Sequence, residues 1–283
     1  MRVPDEITKC VVFMGDLDPA DDIVVPRGTA FSVALLPARQ FSLPACYLVT
    51  AKHVITDLEK ISTDGKICIR ANARDGGCLN IWTLRNNWFT HPSDEVADVA
   101  VCPLTLPVSK FDIHHVPQSM AVTSETIVRV GIGVGDEVFI TGLFVNHFGR
   151  AQNIPIVRMG NIAMMANEPL ITKDGKEEEA ILIEARSIGG LSGSPAFVNT
   201  SGVRRGQVIT GEGECIYWLG LVAGHWDGGL EADTATQDKG VNRGICIVVP
   251  ATKILEVILQ DALIAERHDR EKMILAKNTP VRD

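Results

Sequence analysis

Through residues 1–250 the chain alternates short apolar runs, rich in β-branched residues, with breaks of Gly, Pro, Asn and Asp. Twelve runs read as strands: 10–14, 28–36, 45–50, 66–71, 79–84, 96–104, 137–144, 156–164, 180–185, 194–198, 216–224 and 244–249. Strands this short and this evenly spaced predict an all-β barrel or sandwich. Six precede residues 107–132 and six follow. That segment carries Pro, Ser and Thr without a strong period, so it reads as a connection between two six-stranded barrels. One helical stripe follows Pro250, with Ile254/Ile258 and Leu255/Leu259 four apart, Leu263 extending it and Thr252 as its N-cap. Beyond Ala265 the sequence turns charged. The expected organisation is one barrel over 1–115, a second over 116–250, and a C-terminal helix and tail over 251–283. The polar, glycine-containing stretches 199–214 and 227–242 read as surface loops.

Composition narrows the functional classes. At 46% hydrophobic and 22% charged, the 283 residues are those of a soluble globular protein. A net charge of −8 argues against non-specific binding to nucleic acid, which needs a basic surface. The N-terminus lacks the basic and apolar regions of a secretion signal. No run approaches the roughly 18 apolar residues of a membrane helix. A cytoplasmic protein without nucleic-acid or membrane partners is the expectation. Seven cysteines, odd in number and widely spaced with no CxxC pair, read as free, mostly buried thiols. Neither a metal nor a cofactor is expected.

Three segments carry candidate chemistry. In GGLSGSP (189–195), glycines let the backbone turn sharply around Ser192. A serine hydroxyl is a weak nucleophile and needs a base, and acyl transfer needs amides aimed at the developing oxyanion. A turn of this kind can offer Ser192 as nucleophile and the Gly190 and Ser192 N–H groups as an oxyanion hole. LVTAKHV (48–54) delivers His53 at the end of an apolar strand, and a neutral imidazole can take and return a proton. In ADVAVCPL (97–104), Asp98 is the one charge opening an apolar strand, and orienting an imidazole would satisfy it. Taken singly, each has a plainer reading: a turn serine, a packing histidine, a strand-end cap. Asp94 and Glu95 lie in a polar turn and read as solvated. GIGVG (131–135) lacks the Lys-Ser/Thr of a phosphate loop and reads as a turn. His114 and His115 would point oppositely on a strand, so a shared metal is not expected. His91 and His147 show no partner signal, and Trp82, Trp88 and Trp218 read as packing residues.

Together the three occur in the order His, Asp, Ser, each in a matching context. TAKH, DVAV and GLSGSP resemble the bacterial trypsin-like peptidases of the chymotrypsin superfamily. NRGICIVVPATKIL is similar to the last strand and C-terminal helix of the high-temperature-requirement proteases, so the resemblance covers residues 25–265. Subtilisins and α/β-hydrolases order their triads differently. The resemblance implies two six-stranded antiparallel barrels of chymotrypsin type and a serine endopeptidase acting on protein or peptide. His53, Asp98 and Ser192 would be its triad. One departure is Leu191, where digestive trypsins carry the Asp that binds a newly cut N-terminus; a switch of that kind is not expected. SGSP with HWDGG (225–229) also resembles the glutamyl endopeptidases, which implies that Ser187 and His225 contact an acidic substrate side chain. Arg186 is a second candidate for such a contact. With Arg rather than Asp at that position, cleavage after Lys or Arg is not expected. Two further readings stay open: an effector protease activated by a partner, and a catalytically silent binding module on the same fold.

Overall fold

The computed structural model describes residues 3–18, 23–36, 44–62, 64–172, 175–185, 190–204, 207–209, 215–227 and 242–278. The N-terminal half holds β1 (Val11–Asp18), β2 (Ile23–Leu35), β3 (Ala45–Thr50), β4 (Lys66–Asn72), β5 (Cys78–Leu84), β6 (Phe89–Thr90), β7 (Ala100–Cys102) and β8 (Val116–Pro117). They form one curled sheet in the order β5-β4-β1-β2-β3-β7-β6, with β8 pairing parallel to β2. The second half holds β9 (Glu137–Gly142), β10 (Ile156–Met164), β11 (Leu170–Ile171), β12 (Glu177–Glu178), β13 (Ile181–Glu184), β14 (Pro195–Asn199), β15 (Gly202–Arg204), β16 (Gln207–Ile209), β17 (Ile216–Asp227) and β18 (Asn242–Pro250). Six of these close an antiparallel barrel, β10-β13-β18-β17-β14-β9, while β11–β12 and β15–β16 are separate hairpins.

All twelve strands expected from the hydrophobic pattern are present. The expected chymotrypsin-like pair of barrels is present as a closed C-terminal barrel and an N-terminal sheet curled into a half-barrel. The apolar run 96–104 forms a ladder only over β7, and at its start the Asp94 carboxylate accepts the N–H groups of Val96 and Ala97 at 3.0 and 3.1 Å. A side chain that claims backbone donors in this way competes with the sheet. The N-terminal sheet is left open between β5 and β6. The stretch 199–214 also holds more than a loop, since β15 and β16 lie within it.

The helices are α1 (Asp5–Lys9), α2 (Lys52–Ile61), α3 (Ser124–Val130), α4 (Ala251–Ile258) and α5 (Asp261–Asn278). The expected C-terminal helix is therefore two. It begins directly after Pro250, so Thr252 lies inside the first turn rather than at the cap. It breaks at Leu259–Gln260, where the Gln260 amide donates to Val257 O and Thr90 O. Leu263 is fully buried on α5, and Leu259 is 43% exposed. Within the connection, α3 is capped by the Thr123 hydroxyl accepting from Thr126 N, and it ends at Gly131 with φ +79°.

The two halves share a core. Trp218 of β17 is fully buried and meets Phe31 of β2 edge-on, with ring centroids 5.5 Å apart. The connection from β9 to β10 reaches across onto β4. There the nearly buried Arg70 guanidinium donates to Asn153 Oδ1 and to the Gly149 and Arg150 carbonyls. Asn72 and Asn153 exchange two further bonds. All seven cysteines are free and six are buried. Burial pushes the Cys68 and Cys102 thiols up to about 12, so neither offers a thiolate at neutral pH.

Candidate active site

β3 ends at Thr50, and the chain turns at once into α2, so His53 sits in the first turn of a helix rather than at a strand end. Val54, Ile55 and Leu58 bury the inner stripe of that helix. The helix is amphipathic, but it starts directly after the apolar run of β3, which hides its beginning. The N-cap position is Ala51, which has no side-chain oxygen to accept the first free N–H groups. Asp98 supplies it: Oδ1 accepts the His53 backbone N–H at 2.9 Å, and Oδ2 accepts His53 Nδ1–H at 2.6 Å. The two readings of Asp98, cap and imidazole orienter, are thus both met by one carboxylate. With its proton on Nδ1, the ring presents Nε2 as the free base.

Electrostatics follow from this geometry. Burial alone would lower the His53 pKa, but the hydrogen bond and charge of Asp98, with a smaller contribution from Asp57, raise it above the ordinary 6.5. Burial, reinforced by Asp98 and Asp94, raises the Glu178 carboxyl on β12. The negative field around Asp98 therefore extends beyond the pair.

Ser192 and His53 line one cleft of about 370 Å³, together with Arg27, Val54, Asp57, Leu58 and Ile61. The Ser192 hydroxyl donates to Ala223 O on β17 at 3.4 Å and is not hydrogen-bonded to His53. Gly190 has φ +95°, and a Cβ there would meet the side chains of Leu143 and Val145. Gly193 has φ +82°, and a Cβ would lie 2.1 Å from Thr29 O and 2.3 Å from Thr50 Oγ1. Glycine is required at Gly193 both by conformation and by the closeness of β2. Among the described residues, no hydrogen bond takes the Gly190 or Ser192 N–H. Leu191 is fully buried in the barrel core, away from any charge-pairing role.

Of the residues expected to read an acidic side chain, His225 is exposed on β17, two residues beyond Ala223. Ser187 and Arg186 lie outside the described residues. Sequence reasoning missed Thr29, Thr50, Ala223 and Arg27, all of which border Ser192 or its loop. Nothing in PRGTAF (26–31) marks Thr29 as a partner of a glycine 161 positions away. Among the described residues, no group of three or more His, Cys, Asp or Glu is arranged to hold a metal, and no helix is long and apolar enough to cross a membrane.

No protein-family model and no curated protein matches the sequence. Solved structures do resemble the fold. The MamO protease domain of Magnetospirillum magneticum superposes with a TM-score of 0.50 at 16% identity, over 90% of this chain and 98% of that one. The HtrA-type protease AlgW, solved with a decapeptide, gives a TM-score of 0.50 at 16% identity, over 93% of this chain and 66% of that one. The chain therefore has the chymotrypsin-like fold of the trypsin-like, HtrA-type serine proteases.

Proposed function

We propose that the chain is a serine endopeptidase whose triad is His53, Asp98 and Ser192. The observation that carries this reading is the Asp98 carboxylate. It binds both the backbone and the ring of His53 through Nδ1, which leaves Nε2 free, and His53 lines the same cleft as Ser192. In the proposed reaction, the Ser192 hydroxyl leaves its weak bond to Ala223 O and gives its proton to His53 Nε2. Its oxygen attacks the peptide carbonyl. The carbonyl oxygen, now negative, lies against the Gly190 and Ser192 amides. His53 returns the proton to the departing amine, leaving an acyl-enzyme. Water then gives a proton to His53 and attacks the ester carbonyl; as the C–Oγ bond breaks, His53 returns the proton to Ser192 Oγ and the acid is released. Asp98 keeps its charge throughout and stabilises the imidazolium. The proposed substrate is a protein or peptide, and the reaction as written draws on no cofactor.

A fluorophosphonate probe is expected to label the protein at Ser192 alone, located by peptide mass spectrometry, since only an activated serine reacts. Labelling without cleavage of a mixed peptide library would favour the partner-activated effector protease. No labelling would favour the silent binding module. The library also tests the narrower reading that the side chain before the cleaved bond is acidic. Its support is exposed His225 on β17, the strand whose Ala223 carbonyl accepts from Ser192; Ser187, the other residue proposed for that pocket, lies outside the described residues. Cuts after Glu or Asp would sustain that pocket, and cuts after other residues would remove it.

The raised His53 pKa sets the pH dependence. Only the neutral ring is a base, so kcat/KM should climb as pH rises through an ionisation above 6.5 and then level off. An acid limb at or below that value would contradict the ion-pair geometry. Stability runs the other way. The His53–Asp98 pair stabilises fully below the unfolded imidazole value, and this contribution fades as pH rises through the raised folded one.

A further inference from the structure

The loop that carries Ser192 is held by the opposite half of the molecule, and one fully buried residue of β2, Thr29, makes most of the connections. Its backbone N–H donates to Ser192 O at 3.0 Å. Its hydroxyl donates to Gly190 O at 2.9 Å and accepts the Leu143 N–H at 2.9 Å. Its own carbonyl accepts the Thr50 hydroxyl at 2.6 Å. The Leu191 carbonyl, between the two that Thr29 holds, accepts the Ser194 N–H at 2.9 Å. Three successive peptide carbonyls of the loop are therefore fixed, two of them by Thr29. Because a peptide unit is planar, the Leu191 carbonyl sets the direction of the Ser192 N–H in the same plane. The carbonyls held by Thr29 clamp that plane on either side.

We propose that Thr29 is the positioning residue of the oxyanion loop, its hydroxyl holding the Gly190 carbonyl and so keeping the Gly190 and Ser192 amides turned toward the substrate. This rests on the endopeptidase reading above. The relay runs Leu143 N–H to Thr29 Oγ1, and Thr29 O–H to Gly190 O. No solvent reaches the threonine, so water offers these groups no equal substitute there. Leu191 is apolar and buried, and a clamp from β2 does the work that a charge-paired residue at that position would otherwise do. Thr29 touches no substrate atom; it acts through the loop.

Thr29→Val keeps shape and volume but strands the Leu143 N–H and the Gly190 carbonyl. Losing an oxyanion donor outright costs about 10²–10³ in kcat, so a donor left in place but misdirected should cost roughly 10–100-fold. KM should stay within about threefold, because ground-state contacts are untouched. Thr29→Ser, which keeps the hydroxyl, should recover most of the lost kcat. Hydrogen exchange of the 190–194 amides should quicken in the valine variant and not in the serine one. Wild-type kcat in Thr29→Val, or equal losses in both variants, would overturn the proposal, the second pointing to packing alone. Should Thr29→Val not fold, Thr29→Ala decides on the same scale. If neither folds, the hydroxyl is structural and the proposal fails. A wild-type protein that cleaves nothing would instead fail the endopeptidase reading itself.

Discussion

Ser192→Ala is expected to remove peptide cleavage by a factor of about 10⁴ or more while leaving the fold intact. The magnitude follows from the chemistry: without the hydroxyl there is no nucleophile and no acyl-enzyme, and only binding and the amide pair remain. The intact fold follows from the contacts. The Ser192 side chain makes one hydrogen bond, a 3.4 Å contact to Ala223 O. The structural bonds of this residue are made by its backbone, whose carbonyl accepts from Thr29 N. Unfolding should therefore shift by no more than about 0.5 kcal/mol, as for substitutions that disturb no cap, core or buried network. Cleavage measured by mass spectrometry beside a thermal melt separates the two effects. Unchanged turnover in the variant would sink the triad; lost turnover with a collapsed melting temperature would leave it unproved by this variant and shift the decision to the probe.

Asp98→Asn should be nearly as damaging, with kcat falling about 10⁴-fold, and for a different reason. The carboxylate accepts twice from His53, once from its backbone and once from its ring. A carboxamide has one accepting atom. If that atom keeps the helix N–H, its NH₂ group faces Nδ1, which must give up its proton and accept. The ring proton then moves to Nε2, the atom that has to receive the serine proton. The acid limb of the pH profile should also fall toward the ordinary imidazole value, because the charge that raises His53 is gone. The substitution also removes a negative charge from the N-terminus of α2, which has no cap of its own. That should cost about 0.5–1 kcal/mol of stability. Kinetics read at several pH values, with the melt alongside, test both halves. An asparagine variant with wild-type kcat would show that the carboxylate is only a helix cap.

The hydrophobic pattern proved a good guide to the strands because many of them, β3, β4, β9 and β14 among them, are buried over nearly their whole length and stand out as continuous apolar runs between polar turns. It was a poorer guide to the helices, whose stripes can adjoin such runs. α2 spans Lys52–Ile61 and follows directly on β3, so its stripe of Val54, Ile55 and Leu58 merges with the run before it. The open edge between β5 and β6 was also illegible. The run 96–104 likewise gave no sign that it would pair only over β7, with the Asp94 carboxylate accepting the amides of Val96 and Ala97 at its start.

By itself the sequence determined the local facts: twelve strands, an apolar core, free thiols, and a histidine, an aspartate and a serine each set in a context suited to one chemistry. Those follow from residue type and near-neighbour spacing, which a chain carries in one dimension. Only the tertiary structure decided which of them meet. The Asp98 carboxylate reaching His53 across 45 residues depends on β7 pairing with β3, and the Thr29 hydroxyl reaching Gly190 across 161 depends on the two halves of the chain packing through Phe31 and Trp218. A hydrogen bond is specified by distance and direction within a few tenths of an ångström. No spacing along the chain encodes that.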